Sequence, residues 1–408
     1  MRANRIYPTQ AMWSGDSGVQ PFQYPNLANG IQSPVSGSRG SAVRPSNPWL
    51  DELIPAFQCA DANRESLSSG GQRPSGAGGA DGRFVRSSGG RGPDGTPQFN
   101  QAVDPGNYLW WYLDALSDDG QHGISIIAFV GSVFSPYYAW ANRSQPADAN
   151  DYCALNVAIY SPGNKRWTMT ERGGKWIHRD QHTFQIGPSG LHWDGNCLTI
   201  SIAERAIPFG QKVAGTIKVY PEQLFQFTTP LDDAEKHRWG PIAPSARVEV
   251  SMDQPKLRWH GHAYFDSNEG DEAISVPFTE WDWSRASMKD GSTAVIYDVR
   301  QKSGVERLIA MRFKPDGSVE PFEAPARQAL KKTGWRIQRH MRTDANTLAS
   351  TSQLLEDTPF YARSILQSTL LGEKVTSMHE TLNVPRLVAT STQLMLPWRM
   401  PRIPRMFS

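Results

Sequence analysis

Thr183-Phe-Gln-Ile186, Gly187-Pro-Ser-Gly190, Leu191-His-Trp193, Asp194-Gly-Asn196 and, past Cys197, Leu198-Thr-Ile-Ser-Ile202 succeed one another along the chain. Within them apolar side chains fall on every second residue. That spacing puts Phe184 and Ile186 on one face of an extended backbone, then Leu191 and Trp193, then Leu198, Ile200 and Ile202. The Gly-Pro and Asp-Gly-Asn pieces between them are turn formers. Three short strands joined by tight turns are therefore predicted here. The same alternation runs through Val213, Gly215, Ile217 and Val219, through Val248, Val250 and Met252, and through Ile309, Met311 and Phe313 up to the turn Pro315-Asp-Gly317. Many short strands at this spacing predict a mainly β chain, a sandwich or a barrel.

Composition points the same way. The 408 residues hold 35 Gly and 30 Pro, and 10% are aromatic, a turn-rich and ring-rich mixture that disfavours a helical bundle. A net charge of +2 is too close to balance for a nucleic-acid footprint, so no nucleic-acid partner is expected. Cys59, Cys153 and Cys197 are too few and too scattered for a disulfide framework or a zinc site, and they fit a reducing compartment. The first twenty residues lack an apolar stretch with a cleavage site, and no segment offers about 20 clean apolar residues, so a cytoplasmic protein is expected.

The chain divides by composition. Residues 1–100 are expected to form a disordered or low-complexity tail, because residues 66–95 include ten glycines and little that could be buried. Inside the tail, Asn47-Pro-Trp-Leu-Asp-Glu-Leu-Ile-Pro-Ala-Phe57 could form a docking helix; a misassigned start codon accounts for the region equally well. Residues 101–250 and 251–408 are expected to be two β domains, since Trp110, Tyr112, Asp119 and Gly120 align without gaps onto Trp281, Trp283, Asp290 and Gly291. A short helix is expected over residues 358–372, which open Thr-Pro and close on Gly. Beyond it, Arg399, Arg402 and Arg405 alternate with apolar residues and prolines, which suits either an anionic membrane surface or an extended arm packed on the domain.

For chemistry, no phosphate loop, serine elbow, metal-binding His pair on a helix or dinucleotide fingerprint is present. His178 and His182 are four apart in what reads as strand, a weak basis for a metal. The polar and aromatic residues are densest from Leu257 to Glu272. In strand geometry Tyr264, Asp266 and Asn268 share a face, and a carboxyl desolvated against rings stays protonated near neutral pH and can donate to a weak base. Asp266-Ser-Asn-Glu-Gly270 also reads as a turn capped by its Asp. His237-Arg-Trp-Gly-Pro241, in a connection after Pro230, offers a base and a stacking ring, or simply a surface loop. Glu280 and Asp282 invite a glycosidase reading.

Several blocks in order carry a resemblance. They are Pro105-Gly-Asn-Tyr-Leu-Trp-Trp-Tyr112, Ser135-Pro-Tyr-Tyr-Ala-Trp140, His237-Arg-Trp-Gly-Pro241, Trp259-His-Gly-His-Ala-Tyr-Phe-Asp266, Trp281-Asp-Trp-Ser284, Thr358-Pro-Phe-Tyr-Ala-Arg363 and Leu396-Pro-Trp-Arg-Met-Pro-Arg402. From Pro105 onward the chain resembles the carotenoid 1,2-hydratases of purple photosynthetic bacteria; the first 100 residues are left outside the resemblance. It implies two lipocalin-like antiparallel β domains and a hydro-lyase, needing no cofactor and no metal, that adds water across the terminal C1=C2 bond of acyclic carotenoids such as lycopene and neurosporene. It also implies Asp266 as proton donor, with His237, Trp239 and Tyr264 as companions, His237 orienting the water and taking its proton.

A membrane-dissolved polyene implies peripheral contact with the intracytoplasmic photosynthetic membrane, through the C-terminal arm and the uncharged residues 123–142. The competing expectation is a lipocalin-type carrier that binds an isoprenoid without transforming it. Asp266 and His237 would meet at the interface between the two domains.

Overall fold

The structure is a computed structural model and describes residues 89–403. The expectations for residues 1–88, the docking helix among them, lie outside the described residues.

Among the described residues one sheet has thirteen strands, a second has seven, and a two-stranded ribbon stands apart. The first sheet curls into a half-barrel, and both sheets belong to one unit. The decisive stretch forms the strands Thr183–Ile186, Ser189–Trp193 and Leu198–Ala206, paired antiparallel in that order. Its turns use the left-handed region that glycine reaches without strain, at Gly187 (φ +63°) and Gly195 (φ +105°).

The middle of the first sheet is built from Tyr108–Ser117 and Gly123–Val130 on one side of Leu257–Gly270, and His237–Gln254 on the other. Period two sorts their side chains onto two faces. Leu109, Trp111, Leu113, Ala263 and Phe265 pack inside the curl. Tyr108, Trp110, Tyr112 and Tyr264 point the other way, into a second core shared with Trp281, Trp283, Tyr297, Met378 and Leu382 of the seven-stranded sheet. The strands are buried on both faces because each face has its own cover.

The internal repeat is real in space. Asp119 and Asp290 each cap the turn of a hairpin at the centre of its own sheet, with Gly120 (φ +67°) and Gly291 (φ +82°) following. Equivalent positions of the two copies touch. Tyr112 packs edge-on against Trp283 at 5.5 Å, and Asp114 pairs with Arg285, whose Nε donates to Oδ1 at 3.0 Å. Contact between matched residues is the mark of a twofold interface, here within one chain.

Three expectations are corrected. Residues 358–372 are not a helix. Tyr361–Leu370 is a strand between Ser350–Asp357 and Glu373–Asn383, and the Gly that reads as a helix stop belongs to a two-residue hairpin, Leu371 (φ +53°) and Gly372 (φ +79°). The short C-terminal helices lie later, at Val384–Val388 and Thr390–Met395, and another short helix lies earlier, at Pro136–Ala141. The boundary near residue 250 falls inside His237–Gln254, which continues across a tight turn into its neighbour Leu257–Gly270; the chain changes sheet between Gly270 and Phe278. Residues 89–100, assigned to the tail, are packed: Phe99 is buried against Trp111, and the Arg91 guanidinium donates to Ser267 Oγ at 2.7 Å and to the Gly240 carbonyl.

Candidate active site

Asp266 sits in the central strand of the first sheet, opposite Tyr112 on one neighbour and Pro241 on the other. It is 2% exposed. Period two points it, with Tyr264 and Asn268, at the second sheet, as the spacing predicts; the alternative reading of residues 266–270 as a turn does not hold. On the other neighbour the pairing register shifts on both sides of Ala243. Trp239 lies before these shifts, in regular register with Asn268, so strand alternation puts its indole on the same face as the acid.

Asp266 Oδ2 accepts hydrogen bonds from Trp239 Nε1 at 2.7 Å and from the Tyr264 hydroxyl at 2.9 Å. Oδ1 is buried and has no partner, and neither oxygen is bound by a cation. Burial pushes the carboxyl up to about 8; the Trp239 and Tyr264 hydrogen bonds oppose this, and the charges of Glu380 and Asp114 reinforce it. At neutral pH the group is a protonated acid.

The acid faces a chamber of about 50 Å³. Its walls are Trp110, Tyr112, Trp239 and Asn268 from the first sheet and Trp281, Trp283, Tyr297 and Glu380 from the second. Ile127, Phe134 and Tyr361 also line it, and these three line a second, larger cavity of about 850 Å³. That groove is mostly apolar, with Trp167, Met169, Leu355, Phe360, Leu396 and Met400 along it. A long hydrocarbon lying in the groove would bring its end to Asp266.

His237 does not line the chamber. It starts its strand rather than sitting in a loop, and its partner is Gly270, four residues from Asp266, which is about 13 Å of strand. Its Nδ1 bonds the Tyr108 hydroxyl at 2.8 Å, Nε2 lies 3.8 Å from Glu272, and burial lowers its pKa. Tyr108 in turn stacks on Trp110 at 4.9 Å, and Phe278, 4.8 Å from the His237 ring, packs on Trp281, so intervening rings separate His237 from the chamber.

Glu280 and Asp282 alternate with the chamber residues Trp281 and Trp283, so they face away from it, where Arg300 binds both at 2.6 Å. The glycosidase pair is therefore not a pair across a cleft. His178 and His182 are exposed, and among the described residues no group of three or more His, Cys, Asp or Glu could hold a metal.

Sequence reasoning missed Trp110, Tyr112, Trp281, Trp283, Tyr297 and Glu380 as site residues. Four of them had a visible mark, since they are the aromatic positions of the internal repeat.

A model of the carotenoid hydratase family CrtC matches residues 126–407. The chain belongs to the carotenoid hydratase family. Among its relatives, the acyclic carotenoid 1,2-hydratase of Rubrivivax gelatinosus is 57% identical over 94% of this chain and 95% of its own. That of Thiocapsa roseopersicina is 45% identical over 99% of this chain and 100% of its own. These matches extend into the first 100 residues, beyond the resemblance that starts at Pro105. A protein of Nitrosomonas europaea described as an AttH shares the lipocalin-like fold, with a TM-score of 0.51 at 15% identity, over 68% of this chain and 92% of its own. Family membership makes this carotenoid hydratase family member an enzyme, a hydro-lyase, which sets the carrier reading aside.

Proposed function

We propose that the enzyme hydrates the terminal C1=C2 bond of an acyclic carotenoid of the lycopene or neurosporene type by acid catalysis, without a cofactor. The observation that carries this is a buried carboxyl, bound only by neutral donors and ionising at about 8, in a chamber that shares Ile127, Phe134 and Tyr361 with an apolar groove. An alkene is a very poor base, so its protonation needs an acid that is neutral, desolvated and placed against the carbon.

Asp266 delivers its proton to C2, and C1 becomes a tertiary carbocation. Trp239 and the repeat aromatics line the chamber around that centre, while Tyr264 lies behind Asp266 and touches the site through its hydroxyl. Each desolvated ring contributes about 2 kcal/mol, more than tenfold in rate, without capturing the cation. Water then bonds to C1 and gives the tertiary alcohol. Trp239 and Tyr264 also stabilise the carboxylate left on Asp266, through the same Nε1–H and hydroxyl that bind it now. His237 acts as a positioning residue, holding Trp110 through Tyr108.

The substrate's solubility supports peripheral membrane contact at the groove mouth. Phe209 (85% exposed) and Trp335 (51%) line the groove, and Trp398 (80%) lies beside Arg399, which lines it too, as do Lys165 and Arg166. Exposed rings flanked by cations suit a lipid interface. Of residues 123–142, Gly123–Val130 is buried throughout, while Phe134 lines the groove. In the arm, Arg402 is committed to Glu171 and to the Tyr152 ring. No helix of the described residues is long and apolar enough to cross a membrane.

The reaction is tested by incubating the protein with lycopene in oxygen-18 water. Label at C1 is expected with the native chain and none with Asp266→Asn, which keeps the shape and removes the donor. Hydration by the Asn variant at more than a hundredth of the native rate would refute the assignment.

A further inference from the structure

Hydration releases a proton from the attacking water, and His237 does not reach the chamber where that water must stand. A second carboxyl does. Glu380 lines the same chamber from the opposite sheet. Its position is not arbitrary. Asp266 is the cross-strand partner of Tyr112, and Glu380 is the cross-strand partner of Trp283. Tyr112 and Trp283 are equivalent in the internal repeat and touch each other at 5.5 Å. The two carboxyls therefore occupy matched positions in the two sheets and face one cavity from opposite walls.

Their surroundings differ in kind. Asp266 is bound by an indole N–H and a phenol, both neutral. Glu380 Oε1 accepts from Arg363 Nε at 2.7 Å and from the Tyr112 hydroxyl at 2.6 Å. Arg363 is itself buried and is fixed by donating to the Tyr160 hydroxyl at 2.7 Å. One carboxyl is thus bound only by neutral donors and the other is paired with a guanidinium, the difference in surroundings that acid and base chemistry across one bond calls for.

We propose that Glu380 is the catalytic base of the hydration, the group that takes the proton of the attacking water. The inference rests on the acid role given to Asp266. As the water oxygen forms its bond to C1, one O–H bond breaks and its electron pair stays on oxygen. The proton passes to Glu380, whose Oε1 is already occupied, through Oε2. The product is a neutral tertiary alcohol, with Asp266 ionised and Glu380 protonated. Transfer of that proton back to Asp266 through chamber water resets the site, so no further reagent is consumed.

The test uses the full-length protein, lycopene and sodium azide. Azide is already an anion and captures a carbocation without a base, whereas water needs one. Glu380→Gln is expected to lose hydration at least a hundredfold, the lower range for a general base, yet to form 1-azido product when azide is present. Asp266→Asn should form neither product. Hydration by Glu380→Gln within threefold of native overturns the proposal, and so does loss of both products by a variant whose near-ultraviolet circular dichroism is native. Should the Gln variant not fold, Glu380→Asp keeps the charge beside Arg363 and shortens its reach. A tenfold or greater loss of hydration with azide capture retained then supports the base role, and unchanged hydration overturns it. Hydration that survives in Asp266→Asn would instead refute the underlying acid assignment, so the two failures are told apart.

Discussion

Replacing Asp266 by Asn should stop the reaction and at the same time stabilise the fold, by an amount that grows with pH. The folded carboxyl ionises at about 8, against about 3.9 in an unfolded chain. Because the folded value is the higher one, the unfolded chain gives up its proton first. Stability from this group is thus intact below about pH 4 and drains away as pH rises toward 8. The slope is about 1.4 kcal/mol per pH unit, so the native protein loses about 4 kcal/mol between pH 5 and pH 8 that the Asn variant keeps. Asn retains an acceptor for Trp239 and Tyr264 but places an amide where Oδ1 has no partner. That costs about 1–3 kcal/mol, equally at every pH, and leaves the slope untouched. Urea unfolding of both proteins at pH 5, 6, 7 and 8 measures the difference. A difference constant within about 0.5 kcal/mol over that range would show that the buried carboxyl is not held neutral, and the acid mechanism would fall with it.

The same value sets an alkaline limit on turnover: kcat/KM should fall tenfold per pH unit above about pH 8. Trp239→Phe keeps a ring and removes the donor to Oδ2, so that limit should move upward in a pH–rate profile, while a downward or absent shift would contradict the hydrogen bond's role. Asp114→Asn leaves the buried Arg285 guanidinium without its anion and should cost about 3–5 kcal/mol in chemical denaturation, largely recovered by replacing both with apolar residues. Trp398→Glu, at a position that does not line the groove, should weaken sedimentation with anionic liposomes at low salt at least fivefold, with kcat on detergent-dispersed substrate unchanged; native-like sedimentation would refute the proposed rim.

Residues 358–372 show where local reading stops. Thr-Pro at the start and Gly at the end are equally good helix and hairpin punctuation, and the residues between them include Tyr361, Ile365 and Thr369, which suit a strand. The choice was made by two neighbouring strands, 350–357 and 373–383, whose backbone groups needed partners. The chamber follows the same logic. Its Trp110, Tyr112, Trp281 and Trp283 were visible as a repeat because a repeat is a relation along the chain, but that the copies face each other is a relation between sheets.

By itself, then, the order of residues determined what depends on near neighbours: the β class from apolar side chains at every second position, the turns from Gly and Asp, and the shared face of Tyr264, Asp266 and Asn268. Only tertiary packing decided that Trp239, 27 residues away, donates to Asp266, that His237 stays behind Tyr108, and that Glu380 closes the chamber from the other sheet. Backbone sterics fix which way a side chain leaves its strand within a residue or two. What it then meets is set by register and sheet-on-sheet contact, where hydrophobic burial acts without regard to separation along the chain.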